Sequence, residues 1–152
     1  MSRLKVVAHR KSGQVVKGFA ELNVSVNDLG IPDSGPIPLT KSLTVHSSIS
    51  GRGVSIPVDS LKAIYIVKSF EGDPAYAETK FFNPAPNIEG LWINIRFLDG
   101  ETTEGIISNN INFVNEPGFL MKPPDPLSNN HAVYVLKSAL TSFRVVGVRA
   151  EY

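Results

Sequence analysis

The stretch Leu91–Ile107, LWINIRFLDGETTEGII, decides the fold. Leu91, Ile93, Ile95 and Phe97 alternate with Trp92, Asn94 and Arg96, the period of a strand with one face on a core. Asp99-Gly100 follows, and a tight hairpin turn needs the positive φ that such a pair supplies. The returning strand passes through Gly105, which marks a bend or bulge where a small sheet curls towards closure.

The same plan stands near the N-terminus as Leu4–Ala20, LKVVAHRKSGQVVKGFA. Leu4 matches Leu91, Val6 matches Ile93, Ala8 matches Ile95, Gly13 matches Gly100 and Gly18 matches Gly105, at one offset (91 − 4 = 87). Two later stretches, VSIPVDSLKAIYIV from Val54 and AVYVLKSALTSFRVV from Ala132, also match. Their offset of 78 (145 − 67 = 78) aligns Ser60 with Ser138, Tyr65 with Phe143 and Val67 with Val145. The chain therefore reads as a tandem duplication of a small β unit. The expected class is all-β, with two tandem five-stranded barrels over 1–69 and 91–152. An aromatic-rich linker over 70–90 packs them as one body.

Composition narrows the function classes. The 152 residues carry 15 Lys and Arg against 14 Asp and Glu, a net charge of +1 that favours neither nucleic acid nor an anionic membrane as a whole-molecule partner. Without cysteine there is no disulfide framework, thiol nucleophile or thiolate metal site. MSRLKVV has no apolar signal core, and no apolar run approaches the roughly 20 residues that span a bilayer. The expectation is a cytoplasmic protein without a membrane partner.

In chain order, strands are expected near 4–11, 14–24, 54–58, 62–67, 91–98, 101–109, 119–121, 132–136 and 140–148. Asn27–Gly53 is dense in Gly, Pro and Ser and reads as a long loop, with room for one short strand at Leu43-Thr44-Val45. Val58-Asp59-Ser60-Leu61 reads as a tight turn, and Pro57 before it belongs on a sheet edge. In the linker, Asp73-Pro74 resembles a helix start, predicting a short helical turn before Asn83-Pro84-Ala85-Pro86. Phe70, Tyr76, Phe81 and Phe82 are expected to dock on the β units. Lys122–Asn130, with Pro123, Pro124 and Pro126, reads as a stiff exposed loop.

A Gly hairpin, a bent strand, a loop and a closing pair resemble the small five-stranded barrels of the Sm-like and SH3-like type. The resemblance rests on Phe97, Asp99, Gly100, Gly105 and Ile107. The first half departs from it with Arg10 and Ser12, and the Arg-Gly pair of Sm-like proteins is missing from both closing pairs. A more specific resemblance is to an uncharacterised group of bacterial proteins, through Leu61-Lys62-Ala63, Ser69-Phe70-Glu71-Gly72-Asp73-Pro74, Phe97-Leu98-Asp99-Gly100-Glu101, Asp125-Pro126 and Ser128-Asn129-Asn130. It implies no activity, and implies at most a signalling or adaptor role.

The chemistry-bearing residues form no catalytic constellation. His9, His46 and His131 are not spaced as ligands and read as surface or loop residues. No Ser sits in a Gly-x-Ser-x-Gly elbow. Gly51-Arg52-Gly53 is too short to cradle phosphate. Neither a metal nor another cofactor is expected. A non-catalytic binding or adaptor module is therefore the leading reading, with another protein as partner. Its expected face is Lys122, Asp125, Ser128, Asn129 and Asn130, with Glu71 and Asp73 beside it, because prolines lower the entropic cost of presenting polar groups. In the bland reading Asp73 caps a helix and the Asn pair satisfies a turn. The alternative partner is single-stranded nucleic acid, on the first hairpin through Arg10, Lys11, Lys17 and Phe19. Oligomeric state is not legible.

Overall fold

In the computed structural model, which describes residues 2–22, 24–26, 32–34, 41–71, 79–82, 90–109, 112–125 and 128–149, the alternating stretches are strands. The first hairpin is β1 (Ser2–Arg10) and β2 (Val15–Leu22), and two short strands follow, β3 (Val24–Val26) and β4 (Pro32–Ser34). Next come β5 (Ser42–Ser47), β6 (Gly53–Pro57), a 3-10 turn at Val58–Ser60 and β7 (Leu61–Val67). The quoted stretch forms β8 (Gly90–Phe97) and β9 (Thr102–Ile107). A single helical turn at Asn112–Asn115 leads to β10 (Gly118–Met121) and β11 (Asn130–Leu136), then a 3-10 turn at Lys137–Ala139 and β12 (Leu140–Arg149).

The chain is all-β. Its sheets have seven, three and two strands, in the orders β10-β11-β7-β1-β2-β5-β6, β12-β8-β9 and β3-β4. The division expected from the sequence, five strands per half, is not how the sheets divide. β11 pairs antiparallel with β7, so strands of the second half continue the sheet of the first, and a single bridge, Ile106↔Lys122, links β9 to β10. Core residues from both halves, among them Val6, Ile64, Ile93, Ile95, Phe97 and Tyr134, form one contiguous cluster.

The pairings fix how the halves correspond. Arg10↔Leu61, His9↔Ala63 and Ala8↔Ile64 in β1·β7 stand beside Phe97↔Leu140, Arg96↔Ser142 and Ile95↔Phe143 in β8·β12. β1 and β8 keep their offset of 87, but the closing strands correspond at 79 (140 − 61 = 79), not the 78 read from the sequence. The physical reason lies in the bulges. Lys62 and Thr141 are each skipped by the ladder, and β7 is buried on both faces, so its near-continuous apolar run does not penalise a slip of one residue.

Four other local expectations change. The strand expected at Leu43–Val45 is six residues long and carries His46, which therefore lies on β5 rather than in a loop. His9 is half-buried, its ring 4.6 Å from that of Tyr65. The described part of the segment expected as an exposed loop is not exposed throughout, because Pro123, Asp125 and Ser128 are buried. Phe70 and Phe82 dock edge-on, Phe70 on Phe19 at 5.4 Å and Phe82 on Trp92 at 6.0 Å, whereas Phe81 is exposed. The linker's helical turn, Asp73 and Tyr76 lie outside the described residues.

Candidate functional site

Where β7, β11 and β10 face β8 and β9, the two halves enclose a cavity of about 80 Å³. Its apolar wall is Tyr65, Phe97, Met121, Pro123 and Val133, and its polar rim is Lys80, Glu101, Thr103 and Asn130. The register explains the wall: Tyr65 pairs with Val133, and Val133 with Met121, so the three side chains form one row across adjacent strands. Tyr65 on β7 comes from the first half and Lys80 from the linker, while the other lining residues belong to the second half, so the cavity lies where β7 joins the second half.

An ion-pair chain borders it. The Lys62 ammonium lies 2.7 Å from Asp99 and 3.2 Å from Glu101, and Glu101 reaches Lys80 at 3.3 Å. Lys62 also sits 4.5 Å above the Phe97 ring. Burial alone would lower the Lys62 pKa, but hydrogen bonds and charge from Asp99 and Glu101 hold it above the usual lysine value. The Lys62 hydrogen bond, with help from the Glu101 amide, pulls Asp99 below the carboxylate range. Burial and then the Lys62 charge lower His9, which favours the neutral imidazole against Tyr65.

The polar face expected for a partner has a different occupation. The Asn129 side chain accepts from the Ser69 amide at 3.1 Å and the Ser69 hydroxyl at 3.3 Å, and donates to the Ser69 carbonyl at 2.9 Å. With the Lys68 amide bonded to the Asn129 carbonyl at 2.8 Å, it extends the β7·β11 ladder past its bulge. Asp125 accepts from the Thr79 amide at 3.0 Å, and Ser128 accepts from the Asn130 amide at 2.9 Å. The SFE and SNN motifs are therefore in contact, and these groups hold the chain crossings together. Lys122 and Asn130 are partly exposed. Asn130 lines the cavity, as do Met121 and Pro123 on either side of Lys122. Glu71 is exposed and does not line it.

Asn129→Ala is expected to lower stability by about 2 kcal/mol, since it removes both hydrogen bonds that the side chain makes with the Ser69 backbone, while Asn130→Ala is expected to cost less than half as much. Chemical denaturation of both variants reads this, and equal losses would contradict it.

The basic hairpin is also committed internally. Arg10 donates to Gln14 at 3.0 Å, Lys11 to the Ser138 hydroxyl at 3.0 Å and Lys17 to the Phe70 carbonyl at 3.2 Å. Phe19 has the Arg3 guanidinium 4.7 Å from its ring centre and Phe70 at its edge. A base stacking there would have to displace Arg3. Sequence reasoning missed Arg3, Lys62, Lys80 and Glu101. The signal within reach was Asp99-Gly100-Glu101 facing Lys62, which needed the pairing of the halves to be visible.

Among the described residues no group of three or more His, Asp or Glu is placed to hold a metal ion, and no helix is long and apolar enough to cross a membrane. The chain belongs to a family of unknown function, DUF6982, whose model matches residues 2–147. No curated protein and no solved structure matches it.

Proposed function

We propose that the protein is a non-catalytic binding or adaptor module, cytoplasmic, whose partner is another protein. The observation that carries this reading is the cavity between the halves, with an apolar wall from four strands and a convergent polar rim. At about 80 Å³ it is roughly half the size of a 150 Å³ cavity that admits benzene. That suits a short aliphatic side chain of a partner segment. Lys80, Glu101, Thr103 and Asn130 then meet the backbone around that anchor. Of the polar face expected from the sequence, Lys122 and Asn130 are assigned to recognition, and Asp125, Ser128 and Asn129 to holding the loop.

In this reading each half is a small barrel of the Sm-like or SH3-like type. What supports it is the order of pairings. β7-β1-β2-β5-β6 in the first half has its counterpart in β12-β8-β9, the single bridge, and β10-β11. A 3-10 turn precedes the last strand of each half. Duplication then creates a joint between two units, and the cavity is that joint.

The test is selection from a displayed random-peptide library, followed by binding measurements on the Thr103→Trp variant, which fills the cavity from β9. Selected peptides are expected to share one aliphatic anchor and to bind the variant more than about tenfold weaker, at unchanged melting temperature. Peptides that bind both forms equally would overturn the cavity as the site. Saturable binding of a single-stranded oligonucleotide, lost in Lys17→Glu, would favour the nucleic-acid reading instead.

A further inference from the structure

We propose that the open edge of β12 pairs antiparallel with the open edge of β6 from a second copy of this chain. The argument starts from the one place where the halves already pair in this way. β11 lies against β7, with Ala132↔Ile66, Val133↔Tyr65, Tyr134↔Ile64 and Val135↔Ala63. By the offset of 79, β12 is the counterpart of β7, and β6 is the counterpart of β11. The counterpart of the β11·β7 junction is therefore a β6·β12 junction. Within the chain it is not made: β6 ends one sheet and β12 ends another.

Exposure marks the same two edges. Ile66 and Val67 are 4% and 6% exposed beside β11, while their counterparts Val145 and Val146 are 50% and 45% exposed. Val133 is 4% exposed, and its counterpart Val54 is 38% exposed. Three apolar residues left in solvent, Val54, Val145 and Val146, thus stand where the internal junction buries its own. Among the described residues β12 is a ten-residue strand at the end of its sheet, and such an edge is a template for strand addition.

The partner edge is compatible. The Val58 amide reaches the Lys41 carbonyl at 2.9 Å, so alternation turns Ile56 towards β5 and leaves the Ser55 amide and carbonyl facing outwards. Transferring the internal register sets Gly53 opposite Val145, Val54 opposite Arg144 and Ile56 opposite Ser142. Pro57, which has no amide donor, falls just beyond the last pair. Because the joined edges differ, each added copy brings a free edge of the opposite kind, and assembly proceeds until a ring closes or an edge is capped.

The test uses sedimentation of the whole chain over a concentration series, with Val54→Lys and Val145→Lys. The native chain is expected to grow in mass with concentration, and each variant alone to associate at least about tenfold more weakly. Mixed together, the two variants should form one-to-one dimers, since each supplies the intact edge that the other lacks. A native chain that stays at the mass of one chain at about millimolar concentration overturns the proposal. So does association of Val54→Lys alone, which means β12 pairs with itself, or failure of the mixture to dimerise. A second readout does not depend on lysine at the edges. The chain has no cysteine, so oxidised Val54→Cys/Arg144→Cys should give a ladder of covalent multimers, whereas a purely intrachain bridge overturns the proposal. Peptide binding at the cavity is unaffected by Val145→Lys, which separates this inference from the proposed function.

Discussion

Replacing Gly18 by Ala is expected to destabilise the protein by more than about 3 kcal/mol. Gly18 pairs with Ser47 where β2 crosses β5, and an added Cβ would run into the His46 carbonyl oxygen, with its carbon and Val45 Cγ1 each at 2.8 Å. Two of those three atoms are backbone, so no rotamer change relieves the overlap. β5 must move away from β2, and β6 moves with it because β5 is its neighbour in the sheet. Against a total stability of about 5–15 kcal/mol for a domain of this size, that loss is severe. Gly105→Ala occupies the matching place with a smaller effect, because two of its three near atoms are Met121 Cγ and Sδ, on a side chain that can swing. Gly13→Ala meets no atom within 4 Å and carries only the strain of φ +96°, about 1–2 kcal/mol. Urea unfolding of the three variants should rank them in that order. A Gly18→Ala loss below about 1 kcal/mol would show that β5 is not held where the pairing puts it.

The legible part of the fold is the part with a period. β2 and β8 alternate because one face of each is on the core, and Asp99-Gly100 and Gly13 mark turns that need positive φ. β7 and β11 were found, but their mutual pairing was not. Both are buried on two faces, so they read as apolar runs with no direction in which to place a neighbour. That is also why the closing strands were matched one residue short. The bulges at Lys62 and Thr141 leave no mark in composition, and a chance identity between Ser60 and Ser138 outweighed them.

The candidate site was less legible, because no single motif makes it: Phe97, Glu101 and Asn130 come from two motifs and the remaining lining residues from none. Tyr65, Met121 and Val133 looked like ordinary strand residues, and only the β7·β11·β10 register makes them a wall. The Ser128-Asn129-Asn130 motif stood out, and its polar character suggested a partner. Its middle residue instead acts as a piece of strand against Ser69. An amide side chain sets N–H donors beside a carbonyl acceptor, as a peptide group does, so it serves equally well at a surface and in a ladder. Sequence alone does not separate those two uses.

Phe97→Ala is expected to cost about 3–5 kcal/mol, the usual range for truncating a buried ring. Phe97 is 2% exposed, lines the cavity, and lies under the Lys62 ammonium at 4.5 Å. Truncation removes the ring from the core and leaves Lys62 without its cation–π contact, a further loss of about 0.5–2 kcal/mol. The first half has Arg10 at the matching position, so the Phe97 ring has no counterpart there. The space vacated adds to a cavity of about 80 Å³ that already exists there, which gives the prediction a second readout. If the surrounding strands stay in place, the enlarged cavity is apolar and large enough for benzene. Benzene should then raise the melting temperature of Phe97→Ala and leave the native protein unchanged. If Met121 and Tyr65 collapse inwards, the loss of stability falls towards the low end of the range and benzene has no effect. A loss below about 1.5 kcal/mol in denaturant unfolding, with no benzene response, would mean that Phe97 does not join the two halves.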